Sequence, residues 1–129
     1  MPAPEILVVD DDRGIRDTLA ALLESEGYEV RRAENGQVAL DMIRRDRKPD
    51  LMLLDLMMPI LSGFELLEML EDGDPDLATI PIFVVSAFNA PKTTTARGGG
   101  VCHCFGKPFD ADALLAAIRD RFAEREARV

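Results

Sequence analysis

Basic residues are the scarce charge in this 129-residue chain: 15 Lys and Arg stand against 24 Asp and Glu, a formal net of -9. A surface so negative repels phosphate backbones, which disfavours direct nucleic-acid binding by the chain as a whole. Cysteine is scarcer still. Only Cys102 and Cys104 occur, in a segment that reads as a strand, so their side chains are expected on opposite faces, the two are not expected to bridge, and no disulfide scaffold of the secreted kind is expected. The longest apolar stretch, Leu51 to Leu61, is broken by Asp55 and Pro59, which excludes a transmembrane helix. The opening MPAPEILVVDDD lacks the basic flank and apolar length of a signal peptide. Internal repeats and low-complexity linkers are missing too. The expectation is one domain over residues 1–129 with no output domain, in a cytoplasmic protein without membrane insertion.

What is present favours a packed core, since 47% of the residues are apolar and 30% charged. Five short runs read as strands: Glu5–Asp10 (EILVVD), Tyr28–Ala33 (YEVRRA), Asp50–Asp55 (DLMLLD), Ile80–Ser86 (IPIFVVS) and Val101–Phe105 (VCHCF). Four are near-continuous apolar runs, which suits strands covered on both faces. YEVRRA is the exception and belongs at a sheet edge, where its arginines reach water.

Helical spacing fills the intervals. Ile15, Leu19, Leu22 and Leu23 precede the stop Gly27; Val38, Ala39, Met42 and Ile43 follow Asn35; Phe64, Leu66, Leu67 and Leu70 follow the cap Ser62; Leu114, Leu115, Ile118 and Phe122 follow Asp110. Strand–helix alternation implies right-handed crossovers and a parallel sheet, hence a doubly wound α/β domain. The fourth crossover, FNAPKTTTARGGG, has three threonines, three glycines and no apolar face, so this helix is expected to be weak or disordered.

In such sheets ligands bind beyond the carboxyl ends of the strands. The first strand ends in Asp10, Asp11 and Asp12, the third in Asp55 and the fourth in Ser86, while the fifth runs to Lys107. Singly these have bland readings: Asp11 or Asp12 can cap the first helix, and a lysine is usually just solvated. Together they place acids, a hydroxyl and an ammonium in one crevice. Converging carboxylates repel unless a cation joins them, and oxygen-only donors suit Mg²⁺.

VVDD (Val8–Asp11), LLDLMMP (Leu53–Pro59), Ser62–Gly63, VVSA (Val84–Ala87) and KPF (Lys107–Phe109) occur in order and at matching separations. In these motifs the chain resembles a response-regulator receiver domain of the single-domain, chemotaxis-regulator-like kind. The resemblance implies a flavodoxin-like fold with strand order 2-1-3-4-5 and a cis Lys107–Pro108 bond. It makes Asp55 the phosphoacceptor, with Asp10, Asp11, Asp55 and the Met57 backbone carbonyl holding Mg²⁺ (or Mn²⁺). Lys107 and Ser86 would meet the phosphoryl oxygens. The donor would be a sensor histidine kinase or histidine phosphotransfer protein, and the recipient a downstream protein. Such a chain is a signalling phosphoacceptor, not an enzyme beyond its own phosphorylation and dephosphorylation.

The switch region by this resemblance is Ser86, Ala87, Cys104, Phe105 and Pro108. Here the chain departs from the family, because Cys104 stands where a tyrosine or phenylalanine is usual and Phe105 should face the other way. Ordering of residues 88–100 is therefore expected to carry the output. Met57 and Phe88 flank the path of an attacking water and would slow hydrolysis. Cys102, His103 and Cys104 offer too few ligands for zinc, so the thiols read as small hydrophobes in a buried strand. Arg44, Arg45, Arg47 and Lys48 end the second helix, where cations favour the dipole. Gly98–Gly100 lacks the context of a phosphate loop. Two rivals are a phosphorylation-independent binding module on the same fold and a haloacid-dehalogenase-type phosphatase. The latter would need its nucleophile on the first strand and a cap domain.

Overall fold

The computed structural model describes residues 3–73, 75–87 and 100–127, with side chains to Glu124 in the last stretch. Five strands, β1 (Glu5–Val9), β2 (Glu29–Ala33), β3 (Leu51–Leu54), β4 (Pro81–Ser86) and β5 (Gly100–Gly106), form one parallel sheet in the order β2-β1-β3-β4-β5. Every residue of β1 and β3 is buried, as is β4 from Ile82 onward. Their unbroken apolar sequences have this cause, since helices cover both faces. At the edge, β2 leaves Arg32 half exposed, and it pairs there with Asp17 and Glu24.

The helices are α1 (Arg13–Ser25), α2 (Gly36–Arg45), α3 (Gly63–Asp72) and α4 (Ala111–Ala127). On one face Leu19 and Leu23 of α1 and Leu114, Ile118 and Phe122 of α4 pack on Ile6, Val8, Leu53 and Phe83. On the other, Ala39, Leu40 and Ile43 of α2 and Leu66 and Leu70 of α3 pack on Leu7, Val9, Met52 and Val84. Each fully buried leucine contributes roughly 2 kcal/mol, so these stripes rather than intrinsic propensity hold the helices. Phe64 falls outside the stripe, 38% exposed. The starts are fixed locally. Asp12, Asn35 and Ser62 accept from Ile15, Val38 and Glu65 amides, Ser62 within a reciprocal capping box, and Asp110 accepts from the Ala113 amide. No helix of the described residues is long and apolar enough to cross a membrane.

Three expectations change. Only Arg44 and Arg45 lie in the last turn of α2; Arg47 and Lys48 lie beyond it and pair with Glu5 and Asp76 instead. The fifth strand is not covered on both faces, because His103 and Cys104 are exposed at the sheet edge. And β5 is bulged. Ile82 pairs with Val101 but Phe83 pairs with His103, leaving Cys102 as the extra residue. A regular strand would put Cys102 and Cys104 on one face. Cys102 packs against the core under α1 and α4, the bulge turns Cys104 to align with Val84 of the opposite face, and neither cysteine forms a disulfide. Phe105 aligns with Val85 and packs away from Cys104, as expected. The fourth crossover, residues 88–99, and with it Phe88, lies outside the described residues.

In the loop between β3 and α3, Ile60 adopts a φ of 71° while 79% exposed. A β-branched side chain in the left-handed region costs about 1–2 kcal/mol, and here no burial offsets it. Glycine relieves that strain but adds about 0.5–1 kcal/mol of unfolded-state entropy. Ile60→Gly should therefore raise stability by about 0.5–1 kcal/mol, read as a higher urea midpoint at unchanged slope.

Candidate functional site

The register sets the site. Val9 of β1 faces Leu54 of β3, so the next residues, Asp10 and Asp55, leave the sheet side by side at its carboxyl edge. The Asp55 amide donates to the Val9 carbonyl at 3.0 Å and the Asp10 amide to Ala33 at 3.2 Å. At the far side Ser86 of β4 faces Gly106, and the next amide, Lys107, donates to the Ser86 carbonyl at 3.1 Å. Asp10, Asp55 and Ser86 are 2%, 5% and 1% exposed, while Asp11 stands at the surface.

The buried acids are held from several sides. Asp10 Oδ1 accepts from the Asp12 amide at 2.9 Å, and Asp10 Oδ2 accepts from Lys107 Nζ at 2.8 Å. Asp55 Oδ1 accepts from the Met57 amide at 3.2 Å, and Asp55 Oδ2 from the same Lys107 Nζ at 3.2 Å. The ammonium thus bridges two carboxylates. One oxygen each from Asp10, Asp11 and Asp55 lie within 4.8 Å of one another. This set of hard oxygen donors fits Mg²⁺, which takes few protein ligands and keeps several waters.

One ammonium against three carboxylates leaves the crevice negative. Burial raises the Asp10 pKa above the ordinary 3.8; the Lys107 and Asp12 hydrogen bonds and the Lys107 charge pull it back without cancelling the rise, and Asp55 adds to it. Burial alone would lower Lys107, but its hydrogen bonds and attraction to Asp10 and Asp55 carry it above 10.5. A raised carboxyl means that the native state binds the proton more tightly than the unfolded chain. The stability this gives is full below 3.8 and is lost as pH rises through the native Asp10 value. In chelator, urea titrations of wild type should show stability falling as pH rises above 3.8, and Asp10→Asn should abolish that limb.

Of the residues singled out from the sequence, Asp10, Asp11, Asp55 and Lys107 come together and Ser86 ends the neighbouring strand β4. The Lys107–Pro108 peptide is cis. Met57 is 57% exposed at the rim, and it is its amide that touches Asp55. Ala87, Cys104 and Pro108 are exposed and Phe105 is half-buried. Arg16 was not anticipated, and Gly63 was singled out only as part of the Ser62–Gly63 motif, with no role given to it. Arg16 Nη1 donates to the Asp10 carbonyl at 2.7 Å. Gly63 passes so close to Asp55 that a Cβ there would lie 2.3 Å from its carbonyl oxygen. The available signals were a cation near a helix N-terminus, where the dipole disfavours one, and a glycine directly after a cap.

Sheet order and lysine-bridged acids together define a doubly wound α/β domain with an acidic crevice at its topological switch point. The chain belongs to the response regulator receiver domain family, whose profile matches residues 6–119. It is 42% identical over 115 residues to the response regulator MprA of Mycolicibacterium vanbaalenii, covering 88% of this chain and 48% of that protein. The chain therefore spans about half the length of the curated relatives it matches. Among solved structures, a CheY-like receiver domain protein from Methanospirillum hungatei superposes with a TM-score of 0.80 at 28% identity, over 98% of this chain and 99% of that one. The receiver domain of a histidine kinase from Syntrophus aciditrophicus gives 0.80 at 27% identity, over 95% and 92%.

Proposed function

We propose that this chain is the phosphoacceptor of a two-component or phosphorelay pathway. A sensor histidine kinase or a histidine phosphotransfer protein delivers a phosphoryl group to Asp55, and the modified chain changes its affinity for a downstream protein. The observation that carries this reading is the Lys107 ammonium bridging the buried Asp10 and Asp55 carboxylates beside Asp11. An Asp55 oxygen attacks the donor's phosphorus; the new O–P bond forms as the N–P bond breaks, and the bonding pair returns to the donor imidazole. Lys107 neutralises charge on the transferring oxygens, and Ser86 hydrogen-bonds one of them. Asp10, Asp11, Asp55 and the Met57 carbonyl would hold Mg²⁺ (or Mn²⁺), which when bound adds positive charge against the same oxygens.

Ser86, Ala87, Cys104, Phe105 and Pro108 form the switch region of this reading, with residues 88–100 carrying the output. Apolar bulk at Met57 slows hydrolysis of the acyl phosphate. A net charge of -9 supports output through protein contact rather than nucleic acid, and the pathway is cytoplasmic. A second reading, a phosphorylation-independent binding module, is favoured by one observation: Cys104, at the usual aromatic position, is exposed in a bulged strand. Incubation with acetyl phosphate and Mg²⁺, followed by intact-mass measurement, separates the two. Wild type should gain one phosphoryl mass and Asp55→Asn none; no gain in wild type favours the binding module.

A further inference from the structure

We propose that Arg16 is the positioning residue of the acidic site, fixing the turn between β1 and α1 so that the Asp10 and Asp11 oxygens stand at cation-binding separation. This rests on the reading of the crevice as an Mg²⁺ site. Asp10 uses each of its acceptors: Oδ1 takes the Asp12 amide, Oδ2 takes Lys107, and the backbone carbonyl takes Arg16 Nη1 at 2.7 Å. That last bond is the shortest of the three and is charge-assisted, the strong class of hydrogen bond. It reaches back six residues from the end of the first turn of α1 across the segment that carries Asp11. Without it that segment is restrained by the Asp12 amide on Oδ1 and by the Asp12 cap on Ile15.

A contribution to helix stability does not explain Arg16. It lies near the positive end of α1, whose first turn holds no acid, and a cation there opposes the macrodipole. Nor does it touch the carboxylates themselves: it meets the Asp10 backbone carbonyl, while Lys107 and the Asp12 and Met57 amides meet carboxylate oxygens of Asp10 and Asp55.

The two ways Arg16 can act have opposite signs. A cation acting through space repels Mg²⁺, so its removal tightens binding. A positioning hydrogen bond orders the ligands, so its removal weakens binding. We expect Arg16→Ala to weaken Mg²⁺ about tenfold by calorimetric titration. Arg16→Lys, which keeps a charged donor, should restore most of the affinity. Arg13→Ala removes a cation 87% exposed on the same helix and should leave affinity unchanged or slightly tighter. In the metal-free chain, Arg16→Ala should speed hydrogen exchange of the Asp12 amide, the donor to Asp10 Oδ1, while exchange in β1 and β3 stays slow. Unchanged or tighter Mg²⁺ binding in Arg16→Ala, with wild type binding normally, overturns the positioning role alone. Absence of saturable Mg²⁺ binding by wild type overturns the site reading and the positioning role with it.

Discussion

Lys107→Met should bind Mg²⁺ more tightly than wild type and yet accept a phosphoryl group about 10²–10³-fold more slowly. The opposition follows from where the ammonium sits. It occupies the space between Asp10 Oδ2 and Asp55 Oδ2, 2.8 and 3.2 Å from them, so it competes electrostatically with a divalent cation drawn to the same oxygens. Methionine fills similar volume, removes that competitor and leaves the carboxylates unopposed. Charge developing on the transferring phosphoryl oxygens then loses its preorganised partner, which no gain in metal affinity replaces. Titration calorimetry reads the first effect, and the rate of acyl phosphate formation from acetyl phosphate reads the second. Tighter metal with an unchanged rate would make the lysine structural only.

The same substitution has a stability signature. Lys107 is 16% exposed and its partners less, so removing it strands buried carboxylates at a cost of roughly 3 kcal/mol in chelator at neutral pH. Because its native pKa lies above 10.5, its contribution is fully present below that value and is lost only as pH climbs through the native one. The gap between wild type and Lys107→Met should stay constant across neutral and mildly alkaline pH and close in strong alkali. Millimolar Mg²⁺ should restore more of the variant's stability than of wild type's, since ligand stabilisation grows with affinity.

Much of this arrangement is legible in the sequence because it is periodic or punctuated. The unbroken runs of β1, β3 and β4 report burial on two faces, and the residues that end them are the site. Asp12, Asn35 and Ser62 announce helix starts by chemistry alone. What is not legible depends on a partner element. The bulge at Cys102 exists only relative to Phe83 and His103, and it is what separates two cysteines that a regular strand would align. The exposure of Cys104 follows from its place on the edge strand, which apolar content in VCHCF does not reveal. Arg16 and Gly63 act at single contacts, one through a side chain folded back over a turn and one through the absence of a side chain. Arg16 leaves no pattern along the chain, and the motif that contains Gly63 does not reveal the contact it makes.

Gly63→Ala should damage both fold and site, through a contact no rotamer can relieve. The added Cβ would lie 2.3 Å from the Asp55 carbonyl oxygen, 2.6 Å from Leu56 Cα and 3.0 Å from the Asp55 carbonyl carbon. All three are backbone atoms, and the Gly63 amide also donates to the Leu56 carbonyl at 3.1 Å, so α3 cannot pull away without losing that bond. Alanine's helix propensity returns at most about 1 kcal/mol, against about 1–3 kcal/mol or more for overpacking. A net loss of about 2 kcal/mol is expected in urea. The strain falls on Asp55, the proposed phosphoacceptor, and displacement by a fraction of an ångström should slow phosphoryl acceptance at least tenfold. Two other glycines isolate the cause. Gly36→Ala places a Cβ 2.6 Å from the Leu61 carbonyl oxygen and should lose comparable stability with nearly normal acceptance. Gly106→Ala meets nothing within 4 Å and should leave stability within about 0.5 kcal/mol of wild type. Equal loss of acceptance in Gly36→Ala and Gly63→Ala would mean that instability, not the displaced Asp55 backbone, is what disables the site.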